Sequence, residues 1–205
     1  MLTLYAPQIS TYGRIVAMVA FEAGLDWQHV PTDSKSKENR QRHPFGKTPS
    51  VDIDGQHIYE SVAICQYIDD VHNDGALQPK DPFARARMSQ WLAIANQYLF
   101  PSTEHGLVMP LLLVPLGGGL PRHDIVEQAL PTIAYQMAIV STRLEEAPYL
   151  AGEDISLADL FMWVIIKAAK MTDEGNAIVS QLLPLLRWFE RIEKRESVSR
   201  TAWPI

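Results

Sequence analysis

The sequence predicts an α/β domain followed by an all-α bundle of helices. Three observations lead to this fold class. Over residues 1–75, short β-like runs alternate with helix-like runs, whereas apolar residues in the second half recur every three or four positions. Between these regions, from His72 to Pro82, the composition shifts to Asn, Asp, Gly, Pro and Lys. A chain of 205 residues is long enough to bury two modest cores.

The first domain has a β-α-β-α-β-β-α order. Turn residues mark its elements, because Gly24 can close the first helix and Asp54-Gly55 is a strong hairpin signal. The predicted strands are Leu2–Tyr5, Trp27–Pro31, Ser50–Ile53 and His57–Tyr59, and the predicted helices are Thr11–Ala23, a polar stretch after Pro31, and one that starts at Ser61. This order predicts a parallel pair for the first two strands and a final antiparallel hairpin.

The second domain is predicted to contain helices only. Asp81-Pro82 is typical of an N-cap followed by proline in the first helical turn. We therefore predict a first domain over residues 1–76, a linker over 77–84 and a helical domain over 85–205. Proline-rich Pro101–Pro121 is expected to interrupt or kink its helices, and Gly117-Gly118-Gly119 to form a loop rather than a nucleotide-binding turn.

Composition excludes several classes of function. A net charge of -6 leaves no broad basic surface, so nucleic acid is not an expected partner. We find neither a secretory leader nor an 18-residue apolar run, which predicts a cytoplasmic protein without a membrane span. The single cysteine, Cys65, excludes an intrachain disulfide, and no metal site is predicted. Any thiol chemistry would then use sulfur from a bound molecule.

Two motifs carry a family resemblance. His43-Pro44-Phe45-Gly46-Lys47-Thr48-Pro49, followed by Glu60-Ser61-Val62-Ala63-Ile64, resembles the central signature of cytosolic-type, bacterial glutathione S-transferases. Ser156 to Asp159 resembles the capping box of that family's helical domain. The resemblance implies a thioredoxin-like first domain. It is nearest to the serine-type (theta-, phi- or beta-like) classes, with the subclass left open.

The resemblance also implies a glutathione site. In this family the proline at the position of Pro49 is cis, and the backbone of Thr48 then pairs with the cysteinyl part of glutathione. Glu60 and Ser61 would hold the γ-glutamyl ammonium and carboxylate at a helix start. Lys47 and, as a weaker candidate, His43 would contact the remainder of the peptide. Val62 stands where many members have arginine, which removes one ionic contact.

The family also needs a hydroxyl donor that stabilises the glutathione thiolate. Ser10 is the first choice, because it follows the first strand and precedes Arg14-Ile15 at a serine-type spacing. Tyr5 and then Thr11 remain the alternatives, followed by Tyr12 or a backbone amide. A cap on the first helix is the structural role that Ser10 could have instead of, or beside, catalysis.

The expected activity is transfer of glutathione, as co-substrate, to small hydrophobic electrophiles in a detoxification role. Glutathione-dependent disulfide reduction and a non-catalytic regulatory role are the alternatives. Phe45 is expected to lie in a homodimer interface, where the resemblance puts an aromatic plug. The predicted electrophile pocket contains Gln8, Ile9, Tyr98, His105 and Met109.

Overall fold

The structure, a computed structural model, describes residues 1–204 and contains two compact units. The first unit is Met1–Pro79 together with the chain from Glu193 onward, and the second is Lys80–Ile192. This division differs from the predicted bounds in one respect. The last residues of the chain pack with the α/β unit, although they follow the helical region in sequence.

The first unit contains one mixed sheet of four strands in the order β2-β1-β3-β4. β1 pairs parallel with β2, and β3 pairs antiparallel with β4, both as predicted. β1 also pairs antiparallel with β3. The Asp54-Gly55 turn joins β3 to β4 with both residues at positive φ. The elements are β1 Leu2–Ala6, α1 Thr11–Glu22, β2 Trp27–Pro31, α2 Lys37–Arg42, β3 Ser50–Ile53, β4 Gln56–Tyr59 and α3 Ser61–His72.

Alternation along β1 separates the two faces of this sheet. Leu2, Leu4 and Ala6 are buried with the apolar faces of α1 and α3. Thr3 and Tyr5 are only half-buried and belong to the opposite face. The core of the unit therefore lies on one side of the sheet, and the other side carries polar groups.

The second unit contains helices only within its described residues. Its long helix α4 spans Pro82–Leu116 and starts with the predicted cap, in which Asp81 Oδ1 accepts the Ala84 N–H at 2.8 Å. The other helices are α5 His123–Glu146, α6 Leu157–Lys170, α7 Asp173–Gln181 and α8 Leu183–Glu193, and α9 Glu196–Arg200 returns to the first unit.

The prolines of α4 do not end the helix, but its regular α-helical pattern is interrupted in and near the expected region Pro101–Pro121. Two segments of α4, Ala95–Leu99 and Glu104–Leu113, are π-helical. A π-turn shifts the hydrogen-bond register, so the chain can pass a residue without an N–H and remain helical. The helix ends only at Gly117, where the triple glycine forms the predicted loop.

The centre of the second unit is α6, whose residues are almost all buried. It starts with the predicted capping box, because Asp159 Oδ2 accepts the Ser156 N–H at 2.9 Å. Asp159 Oδ1 also accepts the Trp188 indole N–H at 2.9 Å and the Leu150 N–H at 3.0 Å. Burial raises the pKa of this carboxyl, against the lowering effect of these hydrogen bonds.

One helix is long and apolar enough to cross a membrane by length and composition alone. It is α4, with a mean hydropathy of 1.2 over its best 18-residue window, of which 33% is buried. The expectation of a protein without a membrane span is not overturned by this helix. A single helix of this kind is weak evidence for a span, because core helices of soluble proteins also meet it.

Candidate functional site

Three segments that carry predicted site residues meet at one end of the sheet in the first unit. Tyr5, near the end of β1, is paired with Ser50, which begins β3 directly after Pro49. Ser50 is also paired with Tyr59, which ends β4 directly before Glu60. The loop after β1, the segment before β3 and the start of α3 are therefore neighbours.

Ser10 caps α1 at this end. Its hydroxyl oxygen accepts the Gly13 N–H at 3.0 Å, and its carbonyl oxygen accepts the Arg14 N–H at 3.0 Å. Because the oxygen is the acceptor in the cap, the hydroxyl hydrogen is left to donate elsewhere. Capping and hydrogen-bond donation to a thiolate are thus compatible in one side chain.

Gly13 allows the first turn of α1 to approach the end of β1 closely. This role of Gly13 was not recognised in the sequence. A Cβ atom at Gly13 would lie 2.8 Å from Ala6 Cβ and 3.2 Å from Ser10 Oγ. The first turn of α1 therefore packs against the end of β1 with room for hydrogen only. A glycine in the first turn of an apolar helix was the available signal.

Tyr5 has a different environment. Its hydroxyl donates to Asp52 Oδ2 at 2.7 Å, and the Arg42 guanidinium lies 4.2 Å from its ring centroid. The hydrogen bond to Asp52 is the main cause of a raised pKa at Tyr5. Its proton is therefore held by a carboxylate. The other alternative, Thr11, is a buried residue in the first turn of α1.

Asp52 forms the centre of a polar network that the sequence did not reveal. His57 Nδ1 lies 2.6 Å from Asp52 Oδ1, and His57 Nε2 lies 2.8 Å from the Arg42 carbonyl oxygen. Burial raises the pKa of Asp52, but the hydrogen bonds from His57 and Tyr5 outweigh this effect, so the pKa of Asp52 is below its ordinary value. This network ties the sheet to the last residue of α2, just before the first motif.

The first motif contains the cis peptide bond that the resemblance implies, at Thr48-Pro49. Thr48 is half-buried, and the Lys47 side chain is exposed. Asn39, which is fully buried, donates from Nδ2 to the carbonyl oxygens of Lys47 and Ser34, both at 3.1 Å. Asn39 thus holds the backbone that precedes the cis bond.

Glu60 and Ser61 form the start of α3 in an unusual conformation. Glu60 has φ 73° and ψ 110°, and its side chain is 63% exposed. Positive φ in a residue other than glycine costs about 1–3 kcal/mol and occurs often at binding sites. No side chain caps α3 within residues 1–204. The first-turn N–H groups can therefore meet an anion.

His43 is buried, with 2% of its side chain exposed. Its Nε2 lies 3.6 Å from Glu60 Oε1, and its ring centroid lies 4.8 Å from that of Tyr59. Burial lowers the pKa of His43, against the raising effect of Glu60. In this position His43 supports Glu60, and its contact with glutathione stays a prediction.

The predicted pocket residues are exposed or partly exposed, each in its own unit. In the first unit Gln8 is exposed and Ile9 half-buried. In the second unit Tyr98, His105 and Met109 are all exposed on α4, which continues past Pro101. Phe45 is 76% exposed and so does not pack inside its own domain.

Metal and cysteine chemistry find little support in the described residues. No group of three His, Cys, Asp or Glu there could hold a metal ion. Cys65 is fully buried on α3, and burial raises the pKa of its thiol. A buried, protonated thiol is a poor nucleophile, so the interpretation of Cys65 as a core residue agrees with its position.

Comparison with known proteins assigns the family. The chain matches the glutathione S-transferase N-terminal domain over residues 4–76 and the C-terminal domain over residues 106–196. It is 30% identical to glutathione S-transferase F14 of Arabidopsis thaliana, over 88% of this chain and 74% of that protein. It is 28% identical to glutathione S-transferase 3 of Zea mays, over 98% and 92%.

Solved structures agree with this match. Glutathione S-transferase III in its apo form has a TM-score of 0.90 and 28% identity, covering 100% of this chain and 97% of that one. Maize glutathione S-transferase I in complex with an atrazine glutathione conjugate has a TM-score of 0.86 and 26% identity, covering 98% and 95%. These matches confirm the predicted fold class, a thioredoxin-like domain followed by a helical domain.

The chain belongs to the glutathione S-transferase family. The predicted enzyme class is thereby confirmed, and the subclass stays a prediction.

Proposed function

We propose that this enzyme transfers the thiolate of glutathione to the electrophilic carbon of small hydrophobic compounds, with Ser10 as the residue that stabilises the thiolate. Family membership supports the reaction. The position of Ser10 supports the assignment of the residue, because its hydroxyl lies at the start of α1 with its hydrogen available. The first domain, predicted over residues 1–76, would bind glutathione. The helical domain, predicted over residues 85–205, would bind the electrophile.

A hydrogen bond from Ser10 is strong enough to explain the ionisation of the glutathione thiol. A hydrogen bond to a charged group contributes about 1.5–3 kcal/mol, which corresponds to a lowering of the thiol pKa by roughly one to two units. The N-terminal end of α1 adds a smaller stabilisation of the negative sulfur. The hydrogen bond that Tyr5 donates to Asp52 argues against Tyr5 in this role.

Glutathione would lie across the end of the sheet where the motifs meet. The backbone of Thr48, beside cis Pro49, would pair with the cysteinyl part, and exposed Lys47 would contact a carboxylate of the peptide. Glu60 would bind the γ-glutamyl ammonium, while Ser61 and the uncapped N–H groups of α3 would bind its carboxylate. His43 would act behind Glu60.

The electrophile would be an apolar compound with limited polarity, consistent with a detoxification role. Exposed apolar and aromatic groups among the predicted pocket residues support this assignment. A solved relative binds the glutathione conjugate of atrazine, an aromatic compound. The candidates that would contact such a compound remain Gln8, Ile9, Tyr98, His105 and Met109.

We also propose a cytoplasmic homodimer that binds neither nucleic acid nor membrane and needs no metal. Phe45 supports the dimer, because the resemblance puts an aromatic plug at this position and the side chain, 76% exposed, is free to enter a partner. The net charge of -6 argues against nucleic acid. Sedimentation of wild type and Phe45→Ala tests the dimer directly.

The decisive experiment is an ultraviolet titration of the bound glutathione thiolate. We expect wild type to ionise the bound thiol well below free glutathione, and Ser10→Ala to abolish most of that difference. Ser89→Ala is the matched control, because Ser89 is exposed on α4 and its hydroxyl donates to the Arg85 carbonyl oxygen of the same helix at 3.1 Å. Glutathione binding without a lowered pKa would favour the non-catalytic role, and turnover of disulfides but not electrophiles would favour the reductase.

A further inference from the structure

The C-terminal segment of the chain lies along α1 within the first unit. We call residues 195–204 the C-terminal strap. At the far end of α1, Arg195 Nε and Nη2 donate to the two carboxylate oxygens of Glu22 at 2.8 Å and 2.7 Å. The Ser197 hydroxyl donates to the same carboxylate at 2.5 Å. The strap is thus anchored twelve residues away from Ser10, at the last residue of α1.

The strap contacts the middle of α1 through Arg14. This residue is 6% exposed, and its Nη2 donates to the Val198 carbonyl oxygen at 3.1 Å. Its guanidinium also lies 4.6 Å from the centroid of the Trp203 ring, within the range of a cation-π contact. Arg14 therefore fixes both the direction of the strap and the place of Trp203.

Trp203 reaches the start of α1. Its indole N–H donates to the Ser10 carbonyl oxygen at 3.3 Å, the oxygen that also accepts the Arg14 N–H. The Ser10 N–H in turn donates to the Pro7 carbonyl oxygen at 3.1 Å. The backbone of Ser10 is therefore held on both sides, by its own loop and by a residue from the end of the chain.

A cavity of about 240 Å³ borders this contact. Its lining includes Pro7, Gln8, Ser10, Arg14 and Trp203. Because the loop before α1 is not packed solidly on this side, apolar packing alone does not hold it. The hydrogen bond from Trp203 is therefore a specific restraint on Ser10 from a distant part of the chain, beside the local hydrogen bonds to Gly13, Pro7 and Arg14.

We propose that Trp203 is a positioning residue, which holds the Ser10 backbone so that the serine hydroxyl points at the glutathione sulfur. The inference rests on the proposed function of Ser10. A hydrogen bond to a thiolate requires a donor held within a few tenths of an ångström, because its strength falls steeply with distance and angle. The anchors at Glu22 and Arg14 keep Trp203 in place and so act through it.

The test compares Trp203→Phe with wild type in the titration of bound glutathione. Phenylalanine keeps a ring over Arg14 and removes the indole N–H, so it separates the hydrogen bond from the packing. We expect the bound thiol pKa to rise by about half a unit or more, since Ser10 would lose part of its hydrogen bond. The KM for glutathione should stay within about twofold, because the other contacts remain. Trp27→Phe, at the same cavity but on β2, is the matched control and should leave the thiol pKa unchanged.

A double-mutant cycle with Ser10→Ala completes the test. If Trp203 acts through Ser10, then Trp203→Phe has no further effect on the thiol pKa in the Ser10→Ala background. An unchanged thiol pKa in Trp203→Phe, or an equal shift in both backgrounds, overturns the inference while the role of Ser10 stands. If Ser10→Ala alone keeps the thiol pKa of wild type, the role of Ser10 is overturned, and the inference falls with it. Thermal unfolding of each variant identifies a loss of fold.

Discussion

Two helix starts in this protein combine a serine with a carboxylate and use them in opposite ways. At α6 the pair is Ser156 and Asp159, both fully buried, and the carboxylate accepts hydrogen bonds from the protein itself. At α3 the pair is Glu60 and Ser61, with the carboxylate exposed and no side-chain cap in the described chain. The closed start satisfies its donors within the fold, whereas the open one leaves its first-turn donors without a side-chain cap.

The backbone follows the same distinction. Ser156 has an ordinary extended conformation, while Glu60 has positive φ. Strain at the open start persists because β4 and α3 fix both sides of Glu60. Residue type alone therefore does not distinguish the structural cap of α6 from the proposed binding site at α3. Burial and the direction of the donors do.

The largest expected effect concerns the closed start. Asp159→Ala should lower the free energy of unfolding by roughly 3 kcal/mol or more, because buried donors on Leu150, Ser156 and Trp188 lose their acceptor. Chemical denaturation measures it. Exposed Asp154→Ala is the control. A loss as small as that of the control would mean that the capping box contributes little.

A second variant tests the start of α1, which combines a cap with the proposed catalytic hydroxyl. Gly13→Ala should destabilise the first unit by about 1–3 kcal/mol, because the new Cβ would overlap Ala6. The shift of Ser10 should also raise the pKa of bound thiol. Calorimetry and the thiolate titration report the two effects. Wild-type values in both assays would show that the close approach is not required.

The open start should respond in binding and not in stability. Glu60→Gln and Ser61→Ala should each raise the KM for glutathione about five- to tenfold, equivalent to roughly 1–1.4 kcal/mol, with little change in Tm. Steady-state kinetics with varied glutathione measure the effect, and exposed Glu153→Gln is the control. A large fall in Tm with unchanged KM would make this start structural, like that of α6.

The smallest effect concerns pH and the anchor of the C-terminal strap. Burial raises the pKa of Glu22, but the hydrogen bonds from Arg195 and Ser197 outweigh this effect, so the pKa of Glu22 is below its ordinary value. A depressed carboxyl pKa adds stability above the unfolded pKa, and that stability is lost as pH falls through the folded pKa. We expect Glu22→Gln to remove about 1 kcal/mol of the stability that depends on this carboxylate. The Tm of the variant should therefore fall less steeply than that of wild type as the pH is lowered. An acid limb identical to wild type would contradict the prediction.

Several features could be predicted from the sequence because short-range physics sets them. The Asp54-Gly55 turn needs positive φ at both positions, and the Ser156 to Asp159 box closes within one helical turn. Asp81 caps α4 for the same local reason. The motifs around Pro49 and Glu60 were recognised from residue type and spacing, and they led to the family.

Tertiary contacts decided the rest. The burial of His43 against Glu60 and the hydrogen bond from Tyr5 to Asp52 depend on strand register, which a single sequence does not state. The course of α4 through its prolines depends on π-turns that no local signal announced.

The sequence by itself determined the order of the elements, several turns and caps, and the motifs of the proposed glutathione site, because neighbours within a few residues carry those signals. Only the tertiary structure joined Trp203 to Ser10 and Arg195 to Glu22. Contacts between residues so distant along the chain form only after the helices and strands have packed through their buried faces, because this packing sets which surface residues become neighbours.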